Sequence, residues 1–184
     1  MTVESIFDAC ALNDADTLRA HLPTSRDDAH TAMCLALAAP GPPACVRVLL
    51  DAGMHPMTYA MPDDDASDMH YVPALTQAVL TGRMAAVPVL LADARTDATH
   101  DDFAAFSVAN ANNDAKILEA LMRWLWQRHG PVVTHDVAQT LLDVNASHDA
   151  TDLQVAAPDC ADVLRTWLPV AQRARRPPVR FAPC

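Results

Sequence analysis

The chain has 184 residues, 51% of them hydrophobic but only 5% aromatic, so its core must be built mainly from Ala, Val and Leu rather than around a large aromatic-lined pocket. Its formal net charge is −10, and all 23 acidic residues precede residue 173, whereas four of the 13 basic ones (Arg173, Arg175, Arg176 and Arg180) lie in the last dozen positions. Such a body repels nucleic acid and anionic membrane surfaces at long range; its acidity serves either solubility alone or the attraction of a basic partner.

The first stretch, Ser5 to Leu22, has two short apolar stripes, Ile6-Ala9-Cys10 and Leu18-Leu22, on either side of Asn13-Asp14. This pattern predicts a helix, a turn and a second helix, with Asp16 as the expected cap of the second. A second pair is expected around Thr31–Ala36 and Val46–Gly53. Pro40, Gly41, Pro42 and Pro43 supply its turn, and Gly53 has the left-handed freedom that closes a helix. Met54–Val72 is expected as a long loop containing Asp63, Asp64, Asp65 and Asp68. The clearest pair follows in Pro73–Asp97, where Leu75, Ala78 and Val79 face inward, Gly82 makes the turn, and Ala86, Val87, Leu90 and Leu91 form the second stripe.

A fourth pair is expected over Phe103–Gly130, turning at Asn112-Asn113, with Ile117, Leu121 and Leu125 as the inner face and Gly130-Pro131 as the stop. Trp124 and Trp126, two residues apart on a helix, cannot both face one core. The last pair is the weakest: Val137, Leu141 and Leu142 suggest one helix, and Ala161–Leu168 another. Residues 173–184, with four Arg and three Pro, are expected as a basic flexible tail behind a single domain of residues 1–172.

The hexapeptides Pro73-Ala74-Leu75-Thr76-Gln77-Ala78 and Thr31-Ala32-Met33-Cys34-Leu35-Ala36, each followed by a glycine turn and a paired Leu-Leu, resemble the ankyrin-repeat signature T-P-L-H-x-A. The resemblance covers about residues 5–168. It departs from the family in lacking the hexapeptide His and in the uneven spacing of Leu18, Val46, Val87, Ile117 and Leu164, where an ideal array keeps about 33 residues. It implies an all-α fold, an α-solenoid of four to five ankyrin-like helix-turn-helix repeats. It also implies a non-enzymatic protein-protein interaction module that binds through loop tips and a concave face. The expected contacts are Met54, His55, Tyr59, Asp63, Asp64, Asp65, Asp68, His70 and Tyr71 in the long loop, and Asp101, Asp102 and Phe103 at the next loop tip. Tyr and Met would give contact area, and the carboxylates would steer a basic partner protein. Twelve Arg against one Lys, Lys116, with abundant Ala, suggests a GC-rich and so bacterial coding sequence, in which such a protein would act as a toxin-neutralising (immunity) or effector protein.

Motifs for chemistry are sparse. There is no G-x-S-x-G elbow, phosphate-binding glycine loop or H-E-x-x-H. Counted from Asp63, an EF-hand-like loop would need Gly where Asp68 stands and Glu where Ala74 stands, so a solvated acidic loop is the expectation. His30 and Cys34 have the spacing of zinc ligands on one helix face, but no second pair follows. No cofactor, metal or catalytic residue is therefore assigned; the alternative is a metal-dependent enzyme or metal sensor assembled from scattered His, Cys and Asp. The five cysteines form no C-x-x-C pair, no signal peptide is visible, and no window of ~18 apolar residues occurs. A cytoplasmic monomer that binds neither nucleic acid nor membrane is expected. The Arg-rich tail stays open between solvation, folding back on the acidic body, and contact with nucleic acid or anionic lipid.

Overall fold

The structure is a computed structural model that describes residues 3–59, 71–148 and 158–175. Among the described residues it is helical apart from one short ribbon: α1 Val3–Ala11, α2 Ala15–Ala20, α3 Arg26–Ala38, α4 Ala44–Asp51, β1 Met57–Tyr59, β2 Tyr71–Pro73, α5 Ala74–Leu80, α6 Val87–Ala92, α7 His100–Ala111, α8 Ala115–His148 and α9 Pro158–Arg175. Residues Met1–Val108 form one compact unit and Ala109–Cys184 a second.

In the first unit α1 packs on α3, α3 on α5 and α2 on α4, while α1–α2, α3–α4 and α5–α6 are joined as close pairs. The faces read from the sequence are the ones that pack. Cys10, Leu18, Met33, Val46, Leu49, Leu75, Val79 and Leu90 are all but inaccessible to solvent. Each such side chain contributes about 1.5–3 kcal/mol when fully withdrawn from water. The many alanines at contact positions (Ala32, Ala74 and Ala78 are fully buried) let these short helices approach closely.

The α1–α2, α5–α6 and α7–α8 connections share one turn. In the first, Asn13 takes a left-handed φ of 55°, its N–H donates to the Cys10 carbonyl, and the Asp14 N–H reaches back to the Ala9 carbonyl. Gly82 and Asn113 repeat that geometry, Arg83 N–H donating to the Ala78 carbonyl and Asp114 N–H to the Ala109 carbonyl. These paired bonds satisfy helix-end carbonyls that have no intrahelical partner, and only Gly, Asn or Asp takes the left-handed position cheaply.

Asp14, not Asp16, caps α2: its Oδ1 accepts from the Thr17 N–H at 3.1 Å and its Oδ2 from the Thr17 hydroxyl at 2.6 Å. Asp16 sits inside the first turn and pairs with Arg19. The cap must precede the helix, and the helix begins two residues earlier than a cap at Asp16 would place it.

The stretch expected as a loop between Met54 and Val72 is not irregular at its ends. Met57, Thr58 and Tyr59 pair with Pro73, Val72 and Tyr71 in antiparallel register, and the buried Thr58 hydroxyl donates to the Val72 carbonyl. The β-branched and aromatic residues at both ends favour this pleated arrangement over the loop expected from the acidic composition between them. The ribbon also caps α5, whose preceding Pro73 has no side-chain donor or acceptor to offer: Ala74 N–H donates to the Pro56 carbonyl.

In the second unit α8 is interrupted at Gly130, whose φ of 78° and ψ of −173° take it out of helical geometry just before Pro131. Ile117, Leu121, Met122 and Leu125 are buried, and α8 packs extensively on α9. Trp124 is buried, with Arg128 over its ring; Trp126 is half-buried and lies 5.8 Å from Trp167 on α9. The two indoles thus serve different surroundings, as their spacing requires. Asn110 and Asn145 exchange two amide hydrogen bonds of 2.8 and 3.0 Å in a largely buried setting. Helix α9 continues through Arg175, past Arg173 where the tail was expected to start.

Candidate functional site

The loop tips of the first unit are fixed by helix-end chemistry. Helix α4 ends at Gly53, φ 86°, with Gly53 N–H on the Leu50 carbonyl and Met54 N–H on the Leu49 carbonyl. The chain then turns so that Met57 N–H meets the His55 carbonyl at 2.8 Å and enters β1. Met54 is half-buried by this turn and His55 is exposed.

The next tip follows α6. Arg95 folds onto Asp93, its backbone N–H and Nε each 2.8 Å from Oδ1 and its Nη2 on Oδ2. The same Nη2 donates to the Leu50 carbonyl at 2.7 Å, so the tip after α6 is tied to the end of α4. These bonds hold the Asp93 carboxyl below its ordinary range and raise Arg95. Asp97 then accepts from both the Thr99 N–H and its hydroxyl. Asp101, Asp102 and Phe103 follow with three consecutive left-handed φ values of 55°, 48° and 62°. For side chains with a Cβ this costs about 1–2 kcal/mol per residue. The Phe103 ring meets Phe106 edge-on at 5.7 Å, which anchors the turn and leaves the carboxylates of Asp101 and Asp102 exposed.

Between these tips lies a cleft of about 230 Å³. Its floor is apolar, from Pro56, Met57, Pro73 and Leu75; its rim carries Arg26 at the start of α3, His55, Arg95 and His100. Thr96, only 6% exposed, lies in its wall, and its hydroxyl has no hydrogen-bond partner among the described residues.

Of the residues expected to bind a partner, His55 lines this cleft, Met54 adjoins it in sequence, and Asp101, Asp102 and Phe103 form the left-handed turn beside His100. Tyr59 and Tyr71 are placed opposite each other by their backbones. Asp63, Asp64, Asp65, Asp68 and His70 lie outside the described residues. Arg26, Arg95, Thr96 and His100 were not singled out from the sequence. Only the Ser25 cap before Arg26 and the Asp-Ala-Arg turn around Arg95 marked them as loop-tip positions.

Other depressions are present among the described residues. A shallow one of about 590 Å³ runs between α4 and α6, and one of about 310 Å³ in the second unit brings Glu119, Asp159 and Asp162 around Trp167. Among the described residues no three His, Cys, Asp or Glu side chains gather so as to hold a metal ion. His30 is buried on α3, and its desolvation, with Arg26 nearby, holds the imidazole below its ordinary pKa. Burial pushes the Cys10 thiol up to about 12 and the Cys160 thiol to about 11, which makes both poor nucleophiles. No described helix is long and apolar enough to cross a membrane. Compared with known proteins, the chain matches no family model, no curated protein and no solved structure.

Proposed function

We propose that this chain is a non-enzymatic interaction module, an ankyrin-like array of helix pairs that holds a partner protein by its loop tips. One observation carries the reading: His55 and Met57 from the tip after α4 line the same cleft as Arg95 and His100 from the tip after α6. Loop tips of successive pairs converging on one surface are what such arrays use for binding. The exposed Asp101 and Asp102 supply a field that draws a basic protein toward this side, and the acidic run Asp63–Asp65 adds to the negative charge of the chain. Neutralising a basic toxin or acting as an effector are both consistent uses of such a module.

The test is affinity capture from native extract and secreted fraction, with the captured proteins identified by mass after washing at two salt concentrations. One stoichiometric basic protein, lost at high salt, is expected. Replacing Asp63, Asp64 and Asp65 by Ala should slow its association by about 2- to 10-fold at low salt. Unchanged association in that variant would remove the electrostatic part of the reading, and an empty capture with folded bait would remove the reading itself.

A further inference from the structure

We infer that the cleft between the loop tips of the first unit is a carboxylate pocket, which takes the side chain of one acidic residue of the partner. The inference deepens the binding reading and rests on it for the claim that the carboxylate belongs to a protein.

The size of the cleft comes first. At about 230 Å³ it falls below the 300–1,000 Å³ usual for cofactor and small-molecule sites, so it has room for a single side chain. Its chemistry comes next. In a chain of net charge −10, the cleft gathers Arg26, His55, Arg95 and His100 at its rim. Arg95 is committed to Asp93 and the Leu50 carbonyl, so it shapes the wall. Arg26, His55 and His100 are exposed residues of the same lining and bring it a guanidinium and two imidazoles with N–H donors. Asp97, the carboxylate of the lining, is engaged through Oδ1 by Thr99. Asp27, Asp28, Asp101 and Asp102 adjoin the rim residues in sequence but do not line the cleft.

The Thr96 hydroxyl is the independent sign. Buried hydroxyls nearly always have a partner, and this one, in a residue 94% withdrawn from solvent, has none among the described residues. An oxygen acceptor entering the cleft would complete it. The apolar floor of Pro56, Met57 and Leu75 favours methylenes beneath that oxygen, which selects a carboxylate on a short stem over a bare inorganic anion. The field of the whole chain and the pocket then have separate tasks: acidity draws a basic protein in, and the cleft fixes its orientation on one acidic side chain.

The experiment is a proton–nitrogen chemical-shift titration of the full chain with N-acetylglutamate, N-acetylglutamine, N-acetyllysine and inorganic phosphate. Saturable shifts at the amides of Met57, Thr96 and His100 are expected with N-acetylglutamate, with at least fivefold weaker binding of N-acetylglutamine and of phosphate, and none of N-acetyllysine. Arg26→Gln should weaken N-acetylglutamate about tenfold, the loss of one charge-assisted hydrogen bond, and the near-isosteric Thr96→Val severalfold, with spectra otherwise unchanged. Absence of saturation, equal binding of N-acetylglutamate and N-acetylglutamine, tighter binding of phosphate, or an unaffected Arg26→Gln variant would each overturn the pocket. A captured partner that binds wild type and Arg26→Gln equally would also overturn it and leave the interaction module standing. N-acetylglutamate binding with no partner captured would keep the pocket and remove the module.

Discussion

Residues 13 and 113 hold the same residue in the same left-handed turn, and each reaches across to the N-terminus of a later helix. Asn13 Oδ1 accepts from the Cys45 N–H at 3.1 Å while its Nδ2 donates to the Pro42 carbonyl; Asn113 Oδ1 accepts from the Cys160 N–H at 3.2 Å while its Nδ2 donates to Asp159 Oδ2 at 3.3 Å. Behind each amide a buried thiol donates at 3.6 Å to the carbonyl that opens the turn, Cys45 to Ala9 and Cys160 to Ala109. The chain between the clamped residues differs in length, 32 positions in one case and 47 in the other. The ends are built alike all the same. A helix start has N–H groups without intrahelical partners, and α4 is preceded by Pro43, which makes no side-chain cap. The earlier turn supplies the cap from a distance. The difference lies in the second bond: a backbone carbonyl holds the first clamp, and an exposed carboxylate, free to turn toward water, holds the second.

That difference ranks the two. Asn13→Ala removes both bonds and the left-handed preference and should cost about 2–3 kcal/mol in denaturant unfolding. Asn113→Ala should cost about 1–2 kcal/mol, because Asp159 is resolvated when the amide is lost. Asn13→Gly should recover roughly 1 kcal/mol of the Asn13→Ala loss, isolating backbone strain from hydrogen bonding. Equal losses at the two positions would show that the carbonyl and the carboxylate acceptor contribute alike. Cys45→Ala and Cys160→Ala should each cost about 1 kcal/mol, since a small buried side chain and a weak bond are lost together.

Acid acts on the carboxylate that follows Asn13. Hydrogen bonds from the Thr17 hydroxyl and N–H lower the Asp14 pKa below 3.8 in the first clamp. A folded-state pKa below the unfolded value means that the folded protein holds its proton less tightly. Asp14 therefore stabilises fully above about pH 5, and its contribution disappears as pH falls through the depressed folded value. Asp14→Asn should flatten this part of the stability profile below pH 4 while keeping the cap, as pH-dependent unfolding would show. The smallest effect is chemical. Iodoacetamide should modify the half-buried Cys34 before Cys10, Cys45 or Cys160, read site by site in a mass spectrum, because burial raises all four thiols but shields the other three from the reagent more completely.

Much of the helical framework was legible because periodicity acts locally. Leu75, Ala78 and Val79 had to share a face if the segment was helical, and they do. Gly82 and Asn113 were legible as turns because few residues take a left-handed backbone. The ribbon of Met57–Tyr59 with Tyr71–Pro73 was missed, since three-residue strands leave too short an alternation to compete with the acidic run between them. The candidate site was half legible. His55 and the Asp101–Phe103 tip stood out as exposed polar or aromatic positions between helices. Arg26, Thr96 and His100 did not, for no spacing relates them.

The sequence by itself determined which residues turn inward and where the helix pairs break, because both follow from the 3.6-residue period and from the backbone freedom of Gly and Asn. Only the tertiary structure decided that Asn13 caps α4, that Arg95 ties one loop tip to the end of another helix, and that Arg26, His55, Thr96 and His100 share a cleft. These are meetings of side chains far apart in the chain, and helix stacking, rather than any local preference, sets their distances.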